Sequence, residues 1–205
     1  MPDTDRTRGQ RVYDRWATYR LPYLLVDRLT RSMRRDAVSE LALDPGGTVL
    51  DLGCGPGGSG HRLGESVGPD GRVVGLDYSS GMVRRAQRRF DSVAPADVIR
   101  ADAATLPLAT DSVDGVLASL ALSAMPRLDR VLDEVARVVR PGGRLVVLDG
   151  RTGEGAFGTV LARVYRRLVN VRNPDVLAAL HRRFGTVVVT RRFDAGLGFL
   201  ARVEL

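Results

Sequence analysis

Short hydrophobic runs alternate with helical patterns along the middle of the chain. The runs have the length and the Val and Leu content of buried strands, and between them apolar residues recur every three or four positions. Such alternation predicts an α/β fold in which helices cover both faces of a parallel sheet. The predicted strands are Thr48–Leu52, Arg72–Leu76, Ala96–Ala101, Val113–Ser119 and Arg144–Leu148, and the predicted helices are Gly60–Val67, Ser80–Phe90 and Leu128–Val139, the last ended by Pro141-Gly142-Gly143.

Both ends of the chain depart from this alternation. From Gln10 to Leu43 the apolar spacing predicts helices that are interrupted near Pro22. Near the other end, the strand-like runs Val187–Phe193 and Leu197–Val203 are separated by Asp194-Ala195-Gly196, a signal for a hairpin. The last strand is therefore predicted to run antiparallel to its neighbour.

Composition narrows the class of protein but not its function. Hydrophobic residues make up 44% of the 205 residues, a globular value for a single domain, and no apolar run approaches the roughly 18 residues of a membrane span. The single cysteine, Cys54, excludes a disulfide within this chain and fits the reducing cytoplasm, where we expect the protein to act. The net charge of +7 favours anionic partners such as nucleic acid or acidic lipid, although a basic surface is more often simply solvated.

The stretch VLDLGCGPGGSG, between the first predicted strand and the next helix, contains five glycines and has two interpretations. One is the spacing G-x-G-x-x-G of dinucleotide-binding proteins, carried by Gly53, Gly55 and Gly58. The other is the spacing D-x-G-x-G-x-G of sites for S-adenosylmethionine, which begins at Asp51 and takes Gly57 in place of Gly58. In both, missing side chains let the backbone approach a ligand closely. The stretch alone leaves the two ligands open.

Two acidic residues follow later strands at the edge where ligands bind to such sheets. Asp77 closes the second predicted strand and can accept hydrogen bonds from both ribose hydroxyls of a nucleoside, or else cap the following helix. Asp102 follows the third strand and can accept a hydrogen bond from an exocyclic amine such as that of adenine, with the N–H of Ala103 meeting a ring nitrogen, or else be a solvated loop residue. Asp77 serves both ligand hypotheses, so it indicates an adenosine-containing ligand without choosing between them.

Taken in order, these motifs resemble those of class I S-adenosylmethionine-dependent methyltransferases over residues 45–150. The motifs are Asp51-x-Gly53-x-Gly55-x-Gly57, Asp77, Asp102-Ala103 with Leu106-Pro107, Asp114 to Ser119, and Arg140-Pro141-Gly142-Gly143. Within that superfamily the chain is similar to the C-methyltransferases of ubiquinone and menaquinone biosynthesis. Tyr13–Ala17 resembles their short N-terminal motif, and Phe193–Val203 resembles their closing strands. The resemblance implies a Rossmann-like, doubly wound seven-stranded sheet, mostly parallel with an antiparallel last strand.

The resemblance also implies S-adenosylmethionine as the cofactor and a set of residues that bind it. Gly53, Gly55 and Pro56 would contact the methionyl part of the cofactor, and Ser119 the region of the sulfonium. Asp77 would bind the ribose, Asp102 and Ala103 the adenine, and Tyr78 the face of the adenine ring. Tyr13 would help to close the site. Asp51, Cys54 and Gly57 complete the set. Residues 1–44 are then interpreted as a helical segment that helps to cover the active site, and residues 45–205 as the domain that binds the cofactor.

The acceptor of the methyl group is less well defined. The quinone enzymes have a longer stretch after the fifth strand than the one available here, residues 150–183. Within it, a predicted helix over residues 160–169 carries apolar residues on one face and arginines elsewhere, so it packs on the sheet or rests on an anionic membrane. We hypothesise a small, apolar, quinone-like or lipid-like acceptor rather than nucleic acid, with peripheral contact to an anionic membrane.

Three alternative functions use the same sequence. An NAD(P)-dependent oxidoreductase leaves Asp51 and the long segment before it unexplained, and a chain without lysine cannot carry Tyr-x-x-x-Lys. An RNA methyltransferase would use the basic surface, but the Asn- or Asp-Pro-Pro-Tyr signature of base-amine methylases is missing. A protein that binds the cofactor without catalysis would look the same through residue 150. No catalytic residue and no metal ligand is predicted.

Overall fold

The computed structural model describes residues 27–91, 93, 95–150, 172–173, 175–193 and 198–205. Its strands are β1 (Thr48–Leu52), β2 (Arg72–Asp77), β3 (Ala96–Arg100), β4 (Val113–Ser119), β5 (Val139–Gly150), β6 (Val188–Phe193) and β7 (Gly198–Glu204). Its helices are α1 (Arg31–Leu41), α2 (Gly60–Val67), α3 (Ser80–Phe90), α4 (Leu128–Val138) and α5 (Val176–Phe184), and a 3₁₀ turn spans Leu122–Ala124. Between residues 48 and 138 these bounds agree with the predicted ones to within one residue.

The strands form one seven-stranded sheet in the order β3-β2-β1-β4-β5-β7-β6. The pairs from β3 across to β5 are parallel, whereas β7 is antiparallel to both β5 and β6. The predicted doubly wound sheet with an antiparallel last strand is therefore confirmed. Because the chain leaves β1 towards β2 and returns to place β4 on the other side, the strand order reverses between β1 and β4. A crevice outside the carboxyl ends of these two strands is the expected ligand site.

Alternate strand residues pack into two hydrophobic layers, one on each face of the sheet. On one face, Val49 of β1 is buried with Leu63 of α2 and Phe90 of α3. On the other face, Leu50 is buried with Leu132 of α4. This alternation explains why the helices cover both faces, as the hydrophobic pattern predicts.

The start of β5 differs from the prediction. The sequence predicts a helix to Val139, ended by Pro141-Gly142-Gly143, and a strand from Arg144, but β5 begins at Val139. Gly142, at φ +83°, donates its N–H to the carbonyl of Leu205 at 2.6 Å, and Leu205 donates to the carbonyl of Gly143 at 3.0 Å. The glycine pair is thus bound to the end of the chain, and β5 shifts its register against β4 at this point.

Some predictions lie outside the described residues. They are the helices before residue 27 together with Tyr13, the helix at residues 160–169, and the hairpin turn at residues 194–196. Residues 27–29 are helical and precede α1. Among the residues that the structure describes, no helix has the length and apolar character needed to cross a membrane.

Candidate functional site

The glycine stretch forms a tight loop between the end of β1 and the start of α2. Gly53, Gly55 and Gly57 have φ values of +69°, +54° and +82°, in the left-handed region that favours glycine. A Cβ at Gly53 would lie 2.7 Å from the Cβ of Ala121, so this position also requires glycine for space. A Cβ at Gly55 would meet nothing within 4 Å. The backbone at Gly55 therefore borders open space that a ligand can enter.

Backbone hydrogen bonds tie the loop to the end of β2. The N–H groups of Gly53 and Cys54 both donate to the carbonyl of Leu76, at 2.8 and 2.9 Å. The Cys54 side chain is buried below the loop, and burial is the main cause that raises the pKa of its thiol well above the ordinary value. Cys54 is therefore a neutral packing residue of the loop rather than a nucleophile.

Asp77, at the end of β2, is half-buried and holds the loop through its side chain. One carboxylate oxygen accepts the N–H of Gly55 at 3.0 Å and the other accepts the N–H of Ser79 at 2.8 Å. The cap of α3 is Ser79, whose hydroxyl accepts the N–H of Met82 at 3.2 Å, so the interpretation of Asp77 as the helix cap is wrong. The carboxylate of Asp77 thus joins the glycine loop to the start of α3 at the edge of the crevice.

Asp102 and Tyr78 lie in the loops after β3 and β2. The carboxylate of Asp102 accepts the N–H of Ala104 at 3.0 Å and pairs with the guanidinium of Arg127 at 2.6 Å. It is therefore a fixed group, and not the freely solvated loop residue of the alternative interpretation. Ala103 beside it is buried, whereas the side chain of Tyr78 is exposed. Arg127 was not predicted, because no motif points to it.

Asp51 is the buried carboxyl group of the site. Its side chain is 2% exposed, and one carboxylate oxygen, Oδ2, has no hydrogen-bond partner among the described residues. Burial raises the pKa of Asp51 to about 7, with the guanidinium of Arg34 acting to lower it and the carboxylate of Asp77 to raise it further. Asp51 is thus poised to change charge when a charged group enters the crevice.

Arg34, from α1, is a second residue that the motifs missed. Its guanidinium lies on the backbone of Gly58, where a Cβ would come within 1.9 Å of it. The signal in the sequence was its position, since Arg34 precedes the buried residues Ala37, Val38 and Leu41 at helical spacings of three, four and seven. An arginine on the apolar face of a helix points to a partner inside the protein or in a ligand.

A polar cluster that was also missed lies at the carboxyl ends of β4 and β5. The buried Asp149 accepts N–H groups from Ser123 at 2.9 Å and Gly150 at 2.7 Å, and burial raises its pKa. The amide of Asn173 donates to the carbonyls of Leu122 and Met125, at 3.0 and 2.6 Å. These bonds fix the 3₁₀ turn that borders the crevice. Within the described ranges, no group of three or more His, Cys, Asp or Glu residues could hold a metal ion.

The unpaired polar atoms fit a polar ligand at this edge of the sheet. Arg34 Nε, Asp51 Oδ2 and the hydroxyl of Ser119, at the end of β4, are buried without a hydrogen-bond partner in the part of the chain that is described. Buried polar groups normally have partners. Together with the open backbone at Gly55 and the carboxylate of Asp77, they suit a ligand with a ribose and several charged groups.

Comparison with known proteins decides which ligand class this is. Residues 49–143 match a family described as "Methyltransferase domain". Residues 49–143 are thus similar to methyltransferase domains. The matched range contains the glycine loop, Asp77, Asp102 and Ser119, which are the residues on which the resemblance was based.

Two curated relatives narrow the likeness to one branch of methyltransferases. The chain is 35% identical over 124 residues to a demethylmenaquinone methyltransferase of Desulfitobacterium hafniense, with 59% of this chain and 49% of the relative covered. It is 38% identical, also over 124 residues, to a 2-phytyl-1,4-naphtoquinone methyltransferase of Synechococcus elongatus, with 59% and 53% covered. The chain thus spans about half the length of these two relatives. The predicted resemblance to the quinone methyltransferase branch is confirmed.

A solved structure confirms the fold of this chain. A SAM-dependent methyltransferase of Thermotoga maritima has a TM-score of 0.71 and 20% identity, with 95% of this chain and 98% of that chain covered. The family match and the names of the curated relatives support the interpretation of the glycine loop that begins at Asp51, the one for S-adenosylmethionine.

Proposed function

We propose that this chain is an enzyme that transfers a methyl group from S-adenosylmethionine to a small, apolar, quinone-like or lipid-like acceptor. The observation that carries the proposal is the loop at Gly55, where open backbone adjoins the carboxylate of Asp77 and the unpaired carboxylate oxygen of Asp51. The apolar acceptor is supported by the two relatives named above, whose names specify quinone-type acceptors.

Methyl transfer from a sulfonium depends more on the positions of the two reactants than on stabilisation of a developing charge. When bound, the cofactor supplies a methyl group on a positively charged sulfur, which leaves as a neutral thioether after in-line attack by the acceptor. No developing anion has to be stabilised on the leaving group. The contribution of the protein is to hold the two reactants in line and to exclude water, which together account for several kcal/mol of the barrier.

The residues of this chain have separate roles in that task. Asp77, whose carboxylate also accepts the N–H groups of Gly55 and Ser79, binds the ribose hydroxyls. Asp102, oriented by Arg127, and the N–H of Ala103 bind the adenine, with Tyr78 against the adenine face. Ser119 and the backbone of the glycine loop border the methionyl part and the sulfonium. Tyr13, which lies outside the described residues, is proposed to help close the site.

A transfer assay with competing acceptors tests the proposal. The purified protein is incubated with S-adenosylmethionine labelled in the methyl group, and either a naphthoquinol that lacks the ring methyl or total RNA. The expected result is label in the fraction extracted by organic solvent, and at least about tenfold less for a variant carrying Asp77→Ala when the cofactor is limiting. Label in RNA alone, falling steeply with added salt, would mean that the basic charge serves nucleic acid instead.

A further inference from the structure

An ion pair lies directly on the glycine loop. Nη1 of Arg34 donates to Oδ1 of Asp27 at 2.6 Å, and both groups lie on the backbone of Gly58. A Cβ at Gly58 would stand 1.9 Å from Nη1 of Arg34 and 2.7 Å from Oδ1 of Asp27. The absence of a side chain at Gly58 is therefore what allows a guanidinium and a carboxylate to lie against the loop.

The two members of this pair differ in how well they are satisfied. The Arg34 side chain is 14% exposed and its Nε is buried without a partner among the described residues. Asp27 is 30% exposed, and its other oxygen lies 3.5 Å from Nη2 of Arg89. A guanidinium has five N–H donors, so Arg34 can take a second acceptor or exchange the one it has. Because Asp27 also lies beside Arg89, its carboxylate keeps a cationic neighbour when the pair with Arg34 is broken.

The groups around Arg34 suit the amino-acid end of the cofactor. Arg34 is close enough to the buried Asp51 for its guanidinium to lower the pKa of that carboxyl. A guanidinium and a buried carboxyl group thus flank the start of the loop. The pair suits an α-carboxylate and an α-ammonium on one carbon atom, because a bound ammonium favours the ionised form of Asp51. The carboxylate of Asp27 accepts from Nη1 of Arg34, as an α-carboxylate would.

We infer that Arg34 is the carboxylate-binding residue of the cofactor site, and that Asp27 occupies Arg34 until the cofactor's α-carboxylate displaces it. The inference rests on the proposed function. Displacement couples cofactor binding to the N-terminal side of the chain, because Asp27 lies in the helical residues that precede α1. Arg34 and Asp27 act as positioning and specificity residues and take no part in the chemistry of transfer.

The test is a calorimetric titration with two ligands that differ only in the carboxylate. They are S-adenosylhomocysteine and its decarboxylated analogue, in which hydrogen replaces the carboxylate. The wild-type protein is expected to bind S-adenosylhomocysteine about tenfold or more tightly than the analogue, the usual effect of a charge-assisted hydrogen bond. Arg34→Gln removes that difference by weakening the first ligand without weakening the second. Arg34→Lys retains part of it, since an ammonium keeps the charge without the planar fork.

Two further variants separate this role from a structural one. Arg35→Gln is the matched control, because Arg35 is the next residue, is 64% exposed and lies 3.6 Å from Asp36, and it is expected to change neither affinity. Asp27→Asn removes the competing carboxylate and strengthens S-adenosylhomocysteine about two- to fivefold, the scale of a partly exposed ion pair, without strengthening the analogue. Circular dichroism establishes that each variant is folded.

Specific outcomes overturn the inference. If Arg34→Gln weakens both ligands equally, or neither, Arg34 does not bind the carboxylate. If Asp27→Asn weakens both ligands, the pair only holds α1 in place. If the folded wild-type protein binds neither ligand, the proposed function fails and this inference with it, a pattern distinct from the loss of carboxylate discrimination alone.

Discussion

Alanine at Gly53 and alanine at Gly55 are expected to damage different properties of the protein, although both glycines have left-handed backbone. At Gly53, with φ +69°, the added Cβ would lie 2.7 Å from the Cβ of Ala121 and 2.9 Å from Cε of Met125. The conformation costs about 1–2 kcal/mol and the overlap about 1–3 kcal/mol more. Gly53→Ala should therefore lower the free energy of unfolding by about 2–5 kcal/mol.

At Gly55, with φ +54°, the added Cβ would meet no protein atom within 4 Å. Only the conformational cost of about 1–2 kcal/mol should appear in the free energy of unfolding. The methyl group would instead project into the space proposed for the cofactor. Gly55→Ala is therefore expected to weaken S-adenosylhomocysteine about five- to a hundredfold, the effect of 1–3 kcal/mol of overpacking.

Urea unfolding followed by circular dichroism measures the first effect, and calorimetric titration with S-adenosylhomocysteine measures the second. The control is Gly46→Ala, because Gly46 has φ +86° and open space around it but lies in the turn before β1, away from the crevice. It should lose stability as Gly55→Ala does and keep full affinity. Wild-type affinity in Gly55→Ala would refute the placement of the cofactor against this backbone, and a loss below about 1 kcal/mol in Gly53→Ala would refute the packing.

Three further predictions concern charges. Asp77→Ala should weaken the binding of S-adenosylhomocysteine at least about tenfold, because it removes hydrogen bonds to a charged acceptor worth roughly 1.5–3 kcal/mol each. The control Asp129→Ala, at an exposed carboxylate, should leave the affinity unchanged. Equal affinities of Asp77→Ala and the wild type in a titration would show that Asp77 does not bind the cofactor. Burial raises the pKa of Asp51 to about 7 in the folded protein, so the folded state holds a proton that the unfolded state loses near pH 4. The free energy of unfolding of the wild type should therefore fall as the pH rises from about 4 to 7, by at most about 4 kcal/mol relative to Asp51→Asn. Urea unfolding across that range checks this, and parallel pH profiles would contradict it. Replacing Arg163, Arg166 and Arg167 together with glutamine should reduce the fraction of protein that sediments with anionic vesicles and leave the affinity for S-adenosylhomocysteine unchanged. An unchanged sedimenting fraction would contradict the membrane contact.

The strands next to the crevice could be predicted from the sequence because their hydrophobic patterns are decided locally. β1 and β4 are buried along most of their length, and each contains a short apolar run, Val49–Leu50 in β1 and residues 116–118 in β4, that local sequence reveals. The glycine loop was equally accessible, since left-handed backbone and close packing at Gly53 leave no other residue type. These features also place Asp77 and Asp102 at the correct edge of the sheet.

The start of β5 could not be predicted, because its cause is distant in the chain. Gly142 and Gly143 are typical of a turn, and nothing local indicates that both bind the backbone of Leu205. The pairing depends on how β7 comes to lie beside β5, which is a property of the whole sheet.

The charged residues that complete the site were missed for a related reason. Arg34 and Arg127 approach the glycine loop and Asp102 from α1 and from the turn before α4, and neither belongs to a motif. In a chain with 31 basic residues, one arginine carries little information by itself. Only the helical spacing of Arg34 with buried residues marked it, and that pattern predicts burial without naming a partner.

A calorimetric titration of the wild-type protein with S-adenosylhomocysteine and, separately, with NADH compares the two ligands that the glycine loop could accept. The carboxylate of Asp77, the open backbone at Gly55 and the unpaired oxygen of Asp51 predict that S-adenosylhomocysteine binds at a single site and NADH does not. Tighter binding of NADH than of S-adenosylhomocysteine would contradict the assignment of the crevice to S-adenosylmethionine.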